Sequence, residues 1–377
     1  MAKENASHIP HTPPPLLMKL MLMVGLRLIV KECVATVSTT TIEQRASAKE
    51  RFSHALALVP ELLQVEDRIR QSFRSDVALM RDIPEYLLKL GGKRIRPALT
   101  LLAAKAFGLQ GTNEDVLNVC AGIELIHMAT LLHDDIIDDS PIRRHQQSPY
   151  AKYGTPATLL SGDFLLTRAF GLCAKLDDEI ICATEQACIE LVEGEALETL
   201  LHQEAHSRAT SLTIAHRKTA ALFRLAAFCA AHIAKQPKEV CEHMSAFGQS
   251  LGVAFQIIDD ILDVTSDEAT LGKRPGLDIT ERKPSLVNVL WIESGHPEAK
   301  RLLTPPQSPE EERAFADNAL AFLRTSEVVA EAKLLAVDHA EAAREELYRA
   351  WSLSSAEPSS YPDALNAVID FALERLL

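Results

Sequence analysis

The chain has 377 residues, 47% of them hydrophobic and only 5% aromatic, with 39 Lys and Arg against 52 Asp and Glu. That supply of Ala and Leu suits a large helical core better than sheet. The net charge of −13 argues against nucleic acid or anionic lipid as a partner, so an anionic substrate would need local basic clusters or a metal.

Residues 1–45 read as a poorly ordered extension. Pro13-Pro14-Pro15 precedes an apolar run over 16–30 that Lys19 and Arg27 interrupt. The run is too short and too charged to span a membrane, and it lacks a clear small-residue cleavage site. A cytoplasmic protein is expected, with an organelle presequence as the alternative because the segment is poor in acid. From 46 to 377 the pattern is helix after helix, read as one all-α domain around a central cavity. A helix over 75–90 stops at Gly91-Gly92. Thr112-Asn113-Glu114-Asp115 resembles a capping box opening a long central helix, apolar nearly all round. Further helices are expected over 158–174, 179–202, 208–234 and 238–264. Loops are expected over 140–156, 266–284, 304–309 and 354–363. The seven cysteines lack any C-x-x-C pair and read as buried free thiols in a reducing compartment, not as a zinc site.

Two helical segments end in the same acidic signature, LLHDDIIDD and FQIIDDILD, with Asp134 and Asp259 at corresponding positions. Residues four apart share a helix face, so Asp134 pairs with Asp138 and Asp259 with Asp263. One such pair is usually a solvated acidic face. Two copies on apolar helices point to Mg²⁺, which prefers hard oxygen ligands and usually shares them with phosphate. Asp135 and Asp139 are also four apart, and the first copy alone does not choose between the pairs. The second copy does, because Val264 stands four beyond Asp260.

Set in order, GGKRIRPAL (91–99), IELIHMATLLHDDIIDD (123–139), RR (143–144), SGDFLL (161–166), KTA (218–220), GQSLGVAFQIIDDILD (248–263) and LGK (271–273) resemble the trans-prenyl diphosphate synthases, in particular their long-chain polyprenyl branch. The resemblance runs from about Leu62 to the C-terminus. It implies an all-α barrel of antiparallel helices around a deep apolar pocket (the isoprenoid synthase fold). It implies Mg²⁺-dependent head-to-tail condensation of isopentenyl diphosphate with an allylic diphosphate of farnesyl or geranyl type, and a homodimer. Carried over by position, Asp134, Asp138 and Asp259 are implied as principal metal ligands, with Asp135 and Asp263 in support. Lys93, Arg96, His127 and Arg144 are implied for isopentenyl diphosphate, and Arg143, Lys218 and Lys273 for the allylic diphosphate. Thr219 and Gln256 are implied near the developing cation, with Lys283 adding charge.

Aromatic rings one turn before the first Asp form the cavity floor in short-chain members of the family. Here Ala129 and Thr130 are small and Ile126 lies below them, so a long product is expected. The family usually has Gly where this chain has His145, and rarely has Pro at position 284. A non-catalytic partner subunit is the main alternative, disfavoured because both acidic motifs are intact. A class I terpene cyclase is disfavoured by the retained Lys93, Arg96 and His127.

Overall fold

The computed structural model describes residues 42–200, 207–272, 274–305, 308–357 and 359–376. The expected extension therefore lies almost entirely outside the described residues, and Lys273 does too. Residues Ala48–Leu376 form one compact unit.

The described helices follow in chain order: α1 (Ile42–Ala57), α2 (Leu62–Ser72), α3 (Ala78–Lys89), α4 (Ile95–Ala106), α5 (Glu114–Ile137), α6 (Pro149–Tyr153), α7 (Thr155–Cys173), α8 (Asp178–Leu200), α9 (Arg208–Ile214), α10 (Ala221–Ile233) and α11 (Lys238–Thr265). Two single-turn helices, α12 (Glu268–Leu271) and α13 (Leu277–Thr280), precede α14 (Leu286–Glu293), α15 (Pro309–Leu323), α16 (Glu327–Leu353) and α17 (Tyr361–Glu374). The expected loop over 140–156 contains a two-stranded antiparallel pair, Ile142–Arg143 with Gln146–Gln147, and then α6. Pairs this short carry too little alternation to be read from sequence.

The long helix α5 is central, as its all-round apolarity predicts. It is long and apolar enough to cross a membrane, yet most of that stretch is buried within the protein. Its cap is Asn113, whose side chain accepts from Asp115 N and Val116 N, rather than a Thr112 capping box. Its end is a Schellman turn: Asp139 is left-handed at φ +47, and Ser140 N donates to Asp135 O at 3.0 Å.

Close helix approach depends on missing side chains. A Cβ at Gly252 of α11 would lie 2.7 Å from Ala220 Cβ, and one at Gly122 of α5 would meet Cys173 Sγ of α7 at 3.2 Å. On its other side α11 packs along α16, whose Ala332, Ala336, Ala340 and Ala343 form a buried stripe at helical spacing.

The expected single helix over 208–234 is broken by a π-helical turn, Ala215–Ala220. Such turns insert one residue into a helix, and they leave no composition signal. The inserted turn nests against α8, where a Cβ at Gly194 would fall 2.8 Å from Lys218 N.

Candidate active site

A cavity of about 1240 Å³ runs between α4, α5, α7, α8, the π-turn and α11. Lys93, Arg96, His127 and Arg144 line it together with Asp134, Lys218, Thr219, Gln256 and Asp259. The sequence-derived basic and acidic groups thus meet on one surface.

At the basic end, α4 begins just after Gly91-Gly92. Lys93 sits over the Phe371 ring at 4.5 Å and Arg96 over the Phe223 ring at 4.7 Å. Such cation–π contacts aim the two charges without neutralising them. Burial and the nearby Arg375 lower the Lys93 pKa, and burial also lowers that of Arg96. Burial pushes the His127 pKa well below the usual histidine range, and the Arg96, Arg143, Arg144 and Arg94 guanidiniums push it further. These surroundings favour the neutral imidazole of His127, which can donate one hydrogen bond to an anion.

The loop after α5 carries Arg144 and His145 in left-handed conformations, φ +50 and +64. The position where the family usually has Gly is thus one that favours Gly. His145 is held there by its backbone: His145 N donates to Gly272 O at 3.0 Å. A Cβ at Gly272 would come within 3.2 Å of both Arg144 Cα and the His145 ring, so the two loops touch.

The carboxylates divide into two groups that sequence spacing did not separate. Asp134 and Asp259 line the cavity. Burial, Glu195 and Asp138 raise the Asp134 carboxyl to about 7, against the pull of Lys218. Asp138 is held by Lys283 at 3.0 Å. Lys283 therefore reaches the first motif despite Pro284. Asp135, one of the expected supporting ligands, faces elsewhere: it is fully buried and paired with Arg143 at 2.7 Å. Neither Asp135 nor Arg143 lines the cavity, and their pairing braces the turn that follows α5. Asp263, the other supporting ligand, is also buried away from the lining and accepts from Asp278 N at 3.2 Å. Asp260 is structural, accepting from Leu286 N and Gln256 Nε2, each at 2.8 Å. Identical residue types at helical spacing are sorted here by tertiary contacts alone.

Thr219 Oγ1 hydrogen-bonds Gln256 Oε1, and Gln256 in turn donates to Asp260. Asp260 thereby fixes which end of the Gln256 amide faces Thr219. Lys218 is clamped by Glu195 at 2.6 Å and by Glu198. Burial opposes its charge, but Glu198, Asp134 and Glu195 outweigh that and raise its pKa. Sequence reasoning passed over these two glutamates, whose i, i+3 spacing on one helix was the available signal. It also passed over Arg375, which follows the last helix, pairs with Asp259 at 2.5 Å and stacks on Phe255 at 4.7 Å.

The apolar shaft is lined by Ile126, Thr130, Leu166, Phe170, Leu191 and Val192 among others. Ala129, expected beside Thr130 at the floor, is fully buried and off the lining. It stands seven residues after Gly122 and four before His133, both of which press on α7, so it belongs to that helix contact.

Among the described residues no three His, Cys, Asp or Glu side chains form a ready metal cage. The chemistry still fits a divalent cation. Asp134, Asp138, Glu195, Glu198 and Glu281 gather around Lys218 and Lys283, with Arg143 also acting on Asp134, which leaves an excess of negative charge among these groups. Mg²⁺ commonly takes one or two carboxylates and completes its shell with phosphate oxygens and water.

The polyprenyl synthetase family model matches residues 77–321. An octaprenyl diphosphate synthase from Haemophilus influenzae is 34% identical over 70% of this chain and 80% of its own length. A short chain isoprenyl diphosphate synthase from Methanothermobacter thermautotrophicus is 34% identical over 82% of this chain and 95% of its own. The crystal structure of a polyprenyl synthase from Caulobacter crescentus, complexed with calcium and isoprenyl diphosphate, superposes with a TM-score of 0.77. That structure is 31% identical and covers 86% of this chain and 97% of its own. An all-α barrel with charged ends on an apolar shaft, a family match across most of the chain and close relatives in sequence and structure agree: this protein belongs to the polyprenyl synthetase family and is a prenyltransferase.

Proposed function

We propose that the protein condenses isopentenyl diphosphate with an allylic diphosphate, using Mg²⁺, to give a long-chain all-trans polyprenyl diphosphate. One observation carries the reading: a single cavity joins a basic end, an acidic end and an apolar shaft. Lys93, Arg96, His127 and Arg144 bind the isopentenyl diphosphate. Arg offers planar, paired hydrogen bonds to phosphate oxygens, and Lys acts as a point charge. Asp134 and Asp259 would hold the metal from the cavity wall once Asp259 is released from Arg375, with Asp138 released from Lys283 to join them. When bound, Mg²⁺ would neutralise charge on the departing diphosphate.

The chain's own residues supply the rest. Lys218 stays charged beside the leaving diphosphate because Glu195 and Glu198 hold its proton. Thr219 and Gln256 present oxygen lone pairs where the allylic cation develops, a preorganised electrostatic contact. The shaft shields that cation from water and accepts the growing prenyl chain. Thr130 and Ile126 leave the shaft open beneath Asp134, which supports a product longer than geranylgeranyl diphosphate. Leu160 and Ile189, on α7 and α8, are exposed outside the cavity lining, and they suit a homodimer interface.

The test is Arg96→Ala. Loss of one charge-assisted contact costs about 1.5–3 kcal/mol, so KM for isopentenyl diphosphate should rise roughly ten- to hundredfold. A rise confined to the allylic KM would reverse the assignment of the two ends.

A further inference from the structure

Glu124 stands on α5 three residues before His127, at the basic end of the cavity, and is only 4% exposed. A carboxylate so buried is costly unless cations answer it. Arg94 Nη1 donates to Glu124 Oε1 at 2.8 Å, and the Glu124 charge also favours the charged forms of Arg96 and Arg144. Arg94 caps α4 from the left-handed region at φ +50, which side-chain-bearing residues seldom occupy. Its guanidinium also reaches Glu66 at 3.4 Å and lies against the glycine turn. A Cβ at Gly92 would fall 2.6 Å from Arg94 Nη1 and 3.5 Å from Arg144 Nη1. Carboxylate, guanidinium and Gly92 are therefore in successive contact, and Gly92 is the chain neighbour of Lys93.

We propose that Glu124 is a positioning residue for the diphosphate bound at this end. Through Arg94 it fixes the Gly92–Lys93 turn, and its charge keeps Arg96 and Arg144 gathered in a cluster that would otherwise repel itself. The inference rests on the reading of that end as the isopentenyl diphosphate site. Two consequences of removing the charge oppose each other. Deleting a negative charge near an anion favours the anion by Coulomb's law. Neutralising the anchor weakens its hold on Arg94, which then relies on Glu66 for a charged partner, and lets the turn and its cations spread. The second wins, because the direct buried ion pair is cut to a neutral hydrogen bond, whereas the repulsion between Glu124 and the bound anion acts over a longer range.

The experiment is Glu124→Gln, which keeps the shape and removes the charge, with steady-state kinetics in both substrates. KM for isopentenyl diphosphate should rise about tenfold or more, with a far smaller change in the allylic KM. The double variant Glu124→Gln with Arg94→Gln should be no worse than Glu124→Gln alone, since Arg94 acts through Glu124. A lower KM for isopentenyl diphosphate would show a purely electrostatic effect. Equal rises in both KM values would show general packing. Either overturns the proposal. Should Glu124→Gln fail to fold, Arg94→Gln alone must give the same selective rise. Arg96→Ala, run in parallel, separates the failures. If it too spares the KM for isopentenyl diphosphate, the site reading is wrong. If it raises that KM while Glu124→Gln and Arg94→Gln do not, only the positioning role falls.

Discussion

Gly252 is where a single methyl group should transmit damage to the site. Its missing Cβ lets α11 lie on the π-turn, where the added atom would stand 2.7 Å from Ala220 Cβ and nearer still to Ala220 Cα. Carbon atoms pack best at about 3.5–4.0 Å, so Gly252→Ala must part the two backbones by about 1 Å. Both are rigid helical segments in the core, so neither yields as a flexible side chain would. Overpacking of this kind costs about 1–3 kcal/mol, offset by at most about 1 kcal/mol from the better helix propensity of Ala. The hydrogen bond from Thr219 to Gln256 spans this same contact, one turn along α11. A displacement of about 1 Å at reacting groups can lower turnover about a hundredfold. Thermal unfolding should therefore show a loss of about 1–2 kcal/mol, with kcat reduced well beyond that. Gly171→Ala is the control: nothing lies within 4 Å of its added Cβ on α7, so stability should rise by up to about 1 kcal/mol. A Gly252→Ala protein with wild-type stability and kcat would refute the argument.

The two adjacent carboxylates of the second motif should behave differently. Asp259→Ala should abolish most turnover with little loss of stability, whereas Asp260→Ala should lower the melting temperature, because it strips Leu286 N and Gln256 Nε2 of their acceptor. In metal-free buffer, the Asp134 carboxyl raised from 3.8 to about 7 means that the folded state holds a proton the unfolded state has lost. Stability should then fall as pH rises from about 4 to 7, and Asp134→Asn should flatten that slope in melts from pH 4 to 8; parallel slopes would contradict it. Thr130→Phe, on the cavity lining, should shorten the product by several isoprene units, while Ala129→Phe should chiefly overpack the contact with α7 and cost about 1–3 kcal/mol. An unchanged product from an active Thr130→Phe enzyme would place the floor elsewhere.

The chemistry was more legible in the sequence than the backbone that aims it. Asp134 and Asp259 stand out through their repeated helical spacing, whereas Lys93, Arg96, His127, Lys218, Thr219 and Gln256 are implied by the family resemblance, and all of them reach one cavity. The helices were legible through the same spacing. What escaped is decided between segments. Asp135 and Asp263 look like Asp134 and Asp259 until Arg143 and the backbone of Asp278 claim them. Ala129 and Thr130 are neighbours, yet one turns to α7 and the other to the shaft. The π-turn adds a residue without changing composition, and Arg375 arrives from the far end of the chain with no local signal.

The most direct test is the reaction itself: purified protein with Mg²⁺, farnesyl diphosphate and excess isopentenyl diphosphate, with products resolved by mass spectrometry. The account predicts stepwise addition of isoprene units to polyprenyl diphosphates longer than geranylgeranyl diphosphate. A cyclised hydrocarbon, or farnesyl diphosphate left unextended by the folded protein, would contradict it.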